Sequence, residues 1–324
     1  MDPPDSSVRH PTNFAMAMTT VLLWAAAFPV IKVALDEGVP PVTLALVRFG
    51  IASVFFMAVL FILGDGIRAV RALDRRLWAM VIAFGIIQSA VTNIAQNIGM
   101  QWTTAGLAAI IQSVGPVIAV VLAIGVLGER YTHMKALGGV MAIAGTVGIV
   151  TGGGQALGEG TFLGNMLMVV TASAYAVGGT IAKRALRDID TTTLMGVGTP
   201  FSLVPLAIWA LAVETPADAL AEGSATAWSS ILFLGLVATG ITMILWYRVL
   251  ARVELSQLSY FVYLIPVISV VLSFVVLGET VTLVQVLFAA LIILGVAVAQ
   301  RERPEAVATV AGMACEEGPC EDEE

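Results

Sequence analysis

The chain has 324 residues, of which 58% are hydrophobic and 12% charged, with a formal net charge of -7. Soluble domains carry roughly 25% charged residues, so this chain lacks the charge to coat a water-soluble globule. Its hydrophobicity excludes a disordered chain. The acidic balance, with no basic cluster longer than Arg75-Arg76, argues against nucleic-acid binding. A polytopic helical membrane protein remains. At about 20 apolar residues per crossing, ten crossings use most of the chain and leave short loops and two tails.

Residues 1–13 are polar and form an N-terminal tail. The first apolar run, Phe14–Leu35, is too long for a signal-peptide core and follows no basic segment, so it is expected to stay as a span. Nine more runs follow between Gly, Pro or charged breaks: Val42–Leu63, Trp78–Ile98, Thr104–Leu127, Met134–Val150, Phe162–Ala182, Leu194–Val213, Trp228–Leu250, Gln257–Leu277 and Thr282–Gln300. They are continuous rather than alternating, which predicts helices and not barrel strands. Residues 301–324 form an acidic tail holding both cysteines, Cys315 and Cys320. Two thiols with no nearby His make a weak metal signal, so no metal or cofactor is expected.

Loop charge tests the count. Arg9 lies in the first tail, and Arg68, Arg71, Arg75 and Arg76 in the second loop. Arg130 and Lys135 lie in the fourth, Lys183, Arg184 and Arg187 in the sixth, Arg248 and Arg252 in the eighth, and Arg301 and Arg303 in the last tail. Fourteen of the 16 basic residues therefore fall on one side. By the positive-inside rule that side is the cytoplasm, both termini are cytoplasmic, and the number of spans is even.

The chain also repeats itself at an offset of 150 residues. Residues 116–122 (PVIAVVL) match 266–272 (PVISVVL), and Val-Leu-Gly-Glu recurs at 126–129 and 276–279. Trp78 matches Trp228, Gly85 matches Gly235 and Gly145 matches Gly295; at an offset of 151, Trp24 faces Tyr175 and Lys32 faces Lys183. The chain thus divides into a first repeat (14–151), an extracytoplasmic linker (152–160) and a second repeat (161–300). Five spans per repeat invert one half relative to the other. The expected fold is an all-α polytopic membrane protein with ten transmembrane helices in two inverted five-helix repeats. Such symmetry supports alternating access around a midplane site.

Candidate binding residues follow from the cost of polarity in lipid. Lys32 and Arg48 are the two basic residues outside the cytoplasmic segments. Arg48 lies about 9 Å into the second span at 1.5 Å per residue. Each either snorkels to the outer surface or holds an anionic group, which Arg48 can do with two parallel hydrogen bonds. Acids avoid the spans: Glu129, Glu254 and Glu279 sit at span ends, so no proton-coupling carboxylate is evident. Ser89, Asn93, Gln96, Asn97 and Gln101 share a helical face of span three that is expected to look inward. Trp24, Phe28 and Lys32 recur every four residues on span one. Trp246 and Tyr247 at a span end fit interfacial anchors, whereas Tyr263, three residues before Pro266, and Gln112, before Pro116, fit a cavity wall. Pro116 and Pro266 are candidate hinges. Gly138, Gly139, Gly145 and Gly148 permit close packing, within one chain or between two, so monomer and homodimer both remain open.

Leu22-Leu23-Trp24 with Phe28, Pro29 and Lys32, the run Pro41 to Arg48, and the paired segments Pro116–Glu129 and Pro266–Glu279 resemble the EamA-type permeases of the drug/metabolite transporter superfamily. The resemblance covers residues 14 to 300. It implies ten helices around a central cavity and export of amino acids or similar small metabolites. It also implies cavity positions at Trp24, Phe28, Asn93, Gln96, Asn97, Gln112, Tyr175, Tyr260 and Tyr263. Small multidrug relatives carry a Glu in their first span; this chain has none. The expectation is a permease in the inner membrane, in contact with lipid bilayer, a small-molecule substrate and no nucleic acid. A multidrug effluxer is the competing transporter. An intramembrane enzyme lacks its motifs, with no His-Glu-x-x-His or Gly-x-Ser-x-Gly present.

Overall fold

The computed structural model describes residues 10–63, 66–115, 117–118, 122, 133–151, 161–250, 261–262 and 264–299. Among these no strand occurs, and ten helical segments lie where the ten apolar runs were read. They are α1 (Pro11–Asp36), α2 (Pro41–Leu63), α3 (Arg75–Gly99), α4 (Ala105–Gln112), α5 (His133–Val150), α6 (Thr161–Ala185), α7 (Thr191–Val213), α8 (Ala225–Leu250), α9 (Leu264–Leu277) and α10 (Leu283–Ala299). Short helical turns at Ile67–Arg71 and Pro216–Ala221 join two of the pairs. The helices α1, α2, α3, α6, α7 and α8 are each long and apolar enough to cross a membrane, and α5, α9 and α10 contain shorter apolar stretches.

Local chemistry sets several ends. Proline opens α1 and α2, where its missing N–H costs nothing. Asp74, Thr104, Asp190 and Ser224 precede α3, α4, α7 and α8, and each side chain accepts an N–H from the first turn. Gly278, at φ +67°, ends α9 in the left-handed conformation that favours glycine.

The packing repeats the duplication. The pair α1–α9 has its counterpart in α6–α4, α1–α8 in α6–α3, and α2–α8 in α7–α3. The pairs α2–α7, α4–α9 and α5–α10 are their own counterparts. Exchanging the halves therefore maps these contacts onto themselves, as a pseudo-two-fold between inverted repeats requires. The α5–α10 pair is packed closely through glycine on both sides. A Cβ on Gly145 would lie 2.7 Å from Ile292 Cγ1, and one on its counterpart Gly295 would lie 2.6 Å from Gly138 O. The exterior is apolar: Ile62, Leu211, Val275 and Leu283 are each more than 70% exposed. The interior holds Asn93, Gln96, Asn97 and Asn165. That inversion of the soluble pattern suits a lipid surround.

Candidate functional site

Both repeats break their third helix in the same way. In α3 the α-helix Arg75–Phe84 gives way to a π-helical stretch, Gly85–Val91, before Thr92–Gly99 resumes as α-helix. In α8, Ala225–Leu232 gives way to Phe233–Ile241 and then Thr242–Leu250. Such widened turns concentrate at functional sites. Glycine lets the neighbouring helix approach each one. A Cβ on Gly235 would lie 3.0 Å from the Arg48 carbonyl of α2, and one on Gly85 would collide with the Gly198 carbonyl of α7. Positions 48 and 198 are themselves 150 apart, so these are one crossing seen twice.

At that crossing Arg48 turns inward. Its Nε donates to Thr239 Oγ1 at 2.9 Å, in the π stretch of α8, and its Nη1 donates to Asn93 Oδ1 on α3 at 3.3 Å. The guanidinium lies 5.5 Å from the Phe49 ring centre. Thr239 and Asn93 are held in turn, the hydroxyl donating to Leu234 O at 2.8 Å and the amide to Ser89 O at 2.8 Å. Among the described residues no carboxylate pairs with Arg48; the ion pair they contain is Lys32–Asp36 at 3.9 Å. Among the described residues, two of its five guanidinium donors are thus used.

Around this centre Gln96 Nε2 donates to Gln112 Oε1 at 3.4 Å, linking α3 to α4. Trp24 Nε1 donates to Thr242 Oγ1 at 2.9 Å, and its ring meets Trp246 at 5.1 Å between centroids. Trp246 therefore faces the bundle interior rather than standing as a lone anchor at the lipid interface. Tyr175, on α6, is 38% exposed.

Among the described residues, the other candidates make no hydrogen bond to this cluster. Phe28 is packed in the main apolar core. Asn97 is fully buried and its Nδ2 donates to Pro41 O at 2.9 Å, fastening the start of α2. Lys32 sits toward the far end of α1, donating to Met100 O at 2.9 Å. Gln101 was expected on the inward face with its four neighbours; it falls beyond the end of α3 and is exposed, because the helix stops at Gly99. Pro266 is buried within α9. Tyr260, Tyr263 and Pro116 lie outside the described residues, as does the side chain of Tyr247. Thr239 and Thr242 were missed in the sequence. Thr239 had a signal, since it is the counterpart of Ser89.

The EamA-like transporter family model matches residues 13–151 and again 162–300. The chain belongs to the EamA-like transporter family. It is a multi-pass membrane transporter. An "Uncharacterized transporter" of Archaeoglobus fulgidus is 29% identical over 88% of this chain and 97% of its own length. A "Probable terminal-alkyne amino-acid exporter" of Streptantibioticus cattleyicolor is 32% identical over 80% and 84%. A "Probable amino-acid metabolite efflux pump" of Escherichia coli is 28% identical over 86% and 92%. A solved crystal structure, 20% identical, shares the fold with a TM-score of 0.60 over 93% of this chain and 98% of that one.

Set against the two-fold of an EamA transporter, the site is lopsided. Arg48, Asn93, Gln96 and Gln112 of the first repeat have as counterparts Gly198, Met243, Trp246 and Val262 of the second. One wall offers a cation and amides; the facing positions offer small, apolar and aromatic side chains. Such a pairing can orient a molecule with an anionic head and an apolar body.

Proposed function

We propose that this transporter is a permease of the inner cell membrane that exports a small amphipathic metabolite carrying a carboxylate, of the amino-acid type. Alternating access moves the substrate through the space between the repeats, with both termini in the cytoplasm. The observation that carries the reading is Arg48, a charged group deep in the bundle whose described partners are a hydroxyl, an amide and a ring. A part-buried cation in a membrane with no described counter-ion is costly, and a carboxylate substrate relieves that cost by taking the remaining guanidinium donors. Trp24, Trp246 and Tyr175 then receive the apolar part, and Gln96 and Gln112 its polar substituents. The names of the Streptantibioticus and Escherichia relatives support amino-acid-like cargo and outward transport. The sidedness rests on the basic loops.

The test is a flux screen in proteoliposomes with labelled amino acids, other carboxylates and cationic dyes, with and without a proton gradient. Saturable flux of a neutral-side-chain amino acid, competed by its analogues, supports the reading. Flux of cationic dyes alone contradicts it.

A further inference from the structure

The end of the bundle where α1 meets α2 has acids but no basic loop residue: Asp36, Glu37, Glu214, Asp218, Glu222 and Glu279 lie there. Two of these acids reach across the repeat boundary onto helix N-termini. Glu279, just past the Gly278 that ends α9, accepts Ala105 N–H at 2.8 Å on Oε1 and Gly106 N–H at 3.0 Å on Oε2. Thr104 takes the next amide, Leu107 N–H, at 3.2 Å, so Glu279 completes the first turn of α4. Glu214, at the end of α7, accepts Val42 N–H at 2.9 Å on Oε1, and Thr43 N–H and Oγ1–H at 2.7 Å on Oε2. Pro41 has no N–H, so Glu214 alone serves the amides that open α2. A third tie is weaker: Ser224 Oγ donates to Glu37 Oε2 at 2.6 Å.

At the opposite end the start of α7 is built differently; Glu129, the counterpart of Glu279, lies outside the described residues. The counterpart of α2 is α7, and α7 caps itself: Thr193 N–H donates to Asp190 Oδ1 at 2.8 Å within the same repeat. Position 40, the counterpart of Asp190, is a proline and cannot do this for α2. So α2 borrows its cap from the other repeat. Separating the repeats at the acidic end strips α2 and α4 of their carboxylates, leaving N–H dipoles and two anions unpaired. Separation at the other end leaves the Asp190 cap of α7 intact.

We propose that Glu214 and Glu279 are positioning residues that latch the extracytoplasmic mouth shut, so that the resting transporter faces the cytoplasm. The pairing of a carboxylate from one repeat with a helix start of the other is what makes it a latch rather than a local cap. The inference uses the transporter assignment and the loop-charge sidedness, and is independent of the substrate.

The test is sided thiol labelling. In a background with Cys315→Ser and Cys320→Ser, Ala108→Cys places a reporter one turn below the Glu279 contact, at a fully buried position of α4. A membrane-impermeant maleimide is applied from either face, in right-side-out and inside-out vesicles. Glu279→Gln keeps one acceptor oxygen and loses the other and the charge. It is expected to speed labelling from the outside at least tenfold, with Glu214→Gln adding to it and Glu279→Asp restoring part of the protection. Ala105→Pro gives a second route. It removes one latch donor at the first helical position, where proline fits, and Thr104 before it is already extended (φ -80°, ψ 154°). Unchanged outside labelling in monodisperse Glu279→Gln and Ala105→Pro proteins overturns the proposal. Equal acceleration from both faces also overturns it, by showing that the caps only hold the fold together. Acceleration confined to the cytoplasmic face overturns the assignment of the latch to the outer mouth.

Discussion

The α5–α10 pair, its own counterpart, and the α2–α8 and α7–α3 crossings, counterparts of each other, both answer to the two-fold, yet they treat it in opposite ways. At the first, Gly145 and Gly295 keep the same residue, and each admits the partner helix to within van der Waals contact of its backbone. At the second, the backbone keeps the symmetry, with Gly85 against Gly198 and Gly235 against Arg48, while the side chains abandon it. The difference separates two demands. Inverted halves of similar energy need matched backbones. Recognition of one molecule in one orientation needs unmatched side chains. Arg48 opposite Gly198, and Gln96 opposite Trp246, are where the side chains depart from the symmetry, as the proposed recognition requires.

Substitutions sharpen this contrast. The largest effect is expected at Arg48. Arg48→Gln removes a charge-assisted contact of about 1.5–3 kcal/mol, so kcat/KM for a carboxylate substrate should fall by about one to two orders of magnitude in proteoliposomes. The variant's thermal stability should change little, since the hydrogen bonds to Thr239 and Asn93 are lost together with a part-buried charge that has no described counter-ion. Arg48→Lys should recover only part of the flux, because an ammonium cannot keep Thr239 and Asn93 while also forking onto a carboxylate.

Next comes the symmetric region. In Gly145→Val the Cβ lands 2.7 Å from Ile292 Cγ1 and 2.8 Å from Phe288 O. Overpacking of this kind costs about 1–3 kcal/mol, read as a lowered midpoint in detergent melting. Protein that survives should keep the parent's order of substrate preference. A changed order would mean that α5–α10 takes part in recognition.

Trp246→Ala should be milder. Losing the ring 5.1 Å from Trp24 forfeits about 0.5–1.5 kcal/mol beyond area burial. KM for apolar-side-chain substrates should rise a few-fold, with less change for glycine-sized ones. Equal losses for both would remove Trp246 from the substrate's apolar side.

The smallest effect is expected at Asp190, far from the site. Burial works to raise the pKa of its carboxyl. The side-chain hydrogen bonds of Thr193 and Thr192 and the Thr193 amide outweigh that and hold it below the ordinary range. Its stabilising contribution is therefore full above the unfolded value, near 4, and is lost as pH falls through the folded one. Asp190→Ala should cost about 0.5–1 kcal/mol at neutral pH. The difference from the parent should close in acid, as thermal melts across pH can follow.

Much of the fold was legible because membrane helices follow from composition, and the loop charges and the 150-residue repeat are both sequence patterns. The helix limits moved by only a few residues where α1, α3 and α6 run on past the apolar core. The site was legible in part. Arg48 and Asn93 were found because polarity in lipid is conspicuous. Their partner Thr239 lies 191 residues from Arg48 and is an ordinary threonine until the fold brings it there. The π stretches of α3 and α8 have no residue signature. Glu214 gave no local hint either, since the Val42 amide it caps lies 172 residues earlier. Trp246 fitted an interfacial anchor because its place near a span end says nothing of which way it faces.

The central claim is that Arg48 receives the carboxylate of an amphipathic substrate. Counterflow in proteoliposomes with a transported amino acid, competed by that amino acid or by its neutral-head amide, tests it most directly in the parent and in Arg48→Gln. The account predicts that the parent prefers the acid by at least tenfold and that the variant loses this preference. An equal preference in both proteins would contradict it.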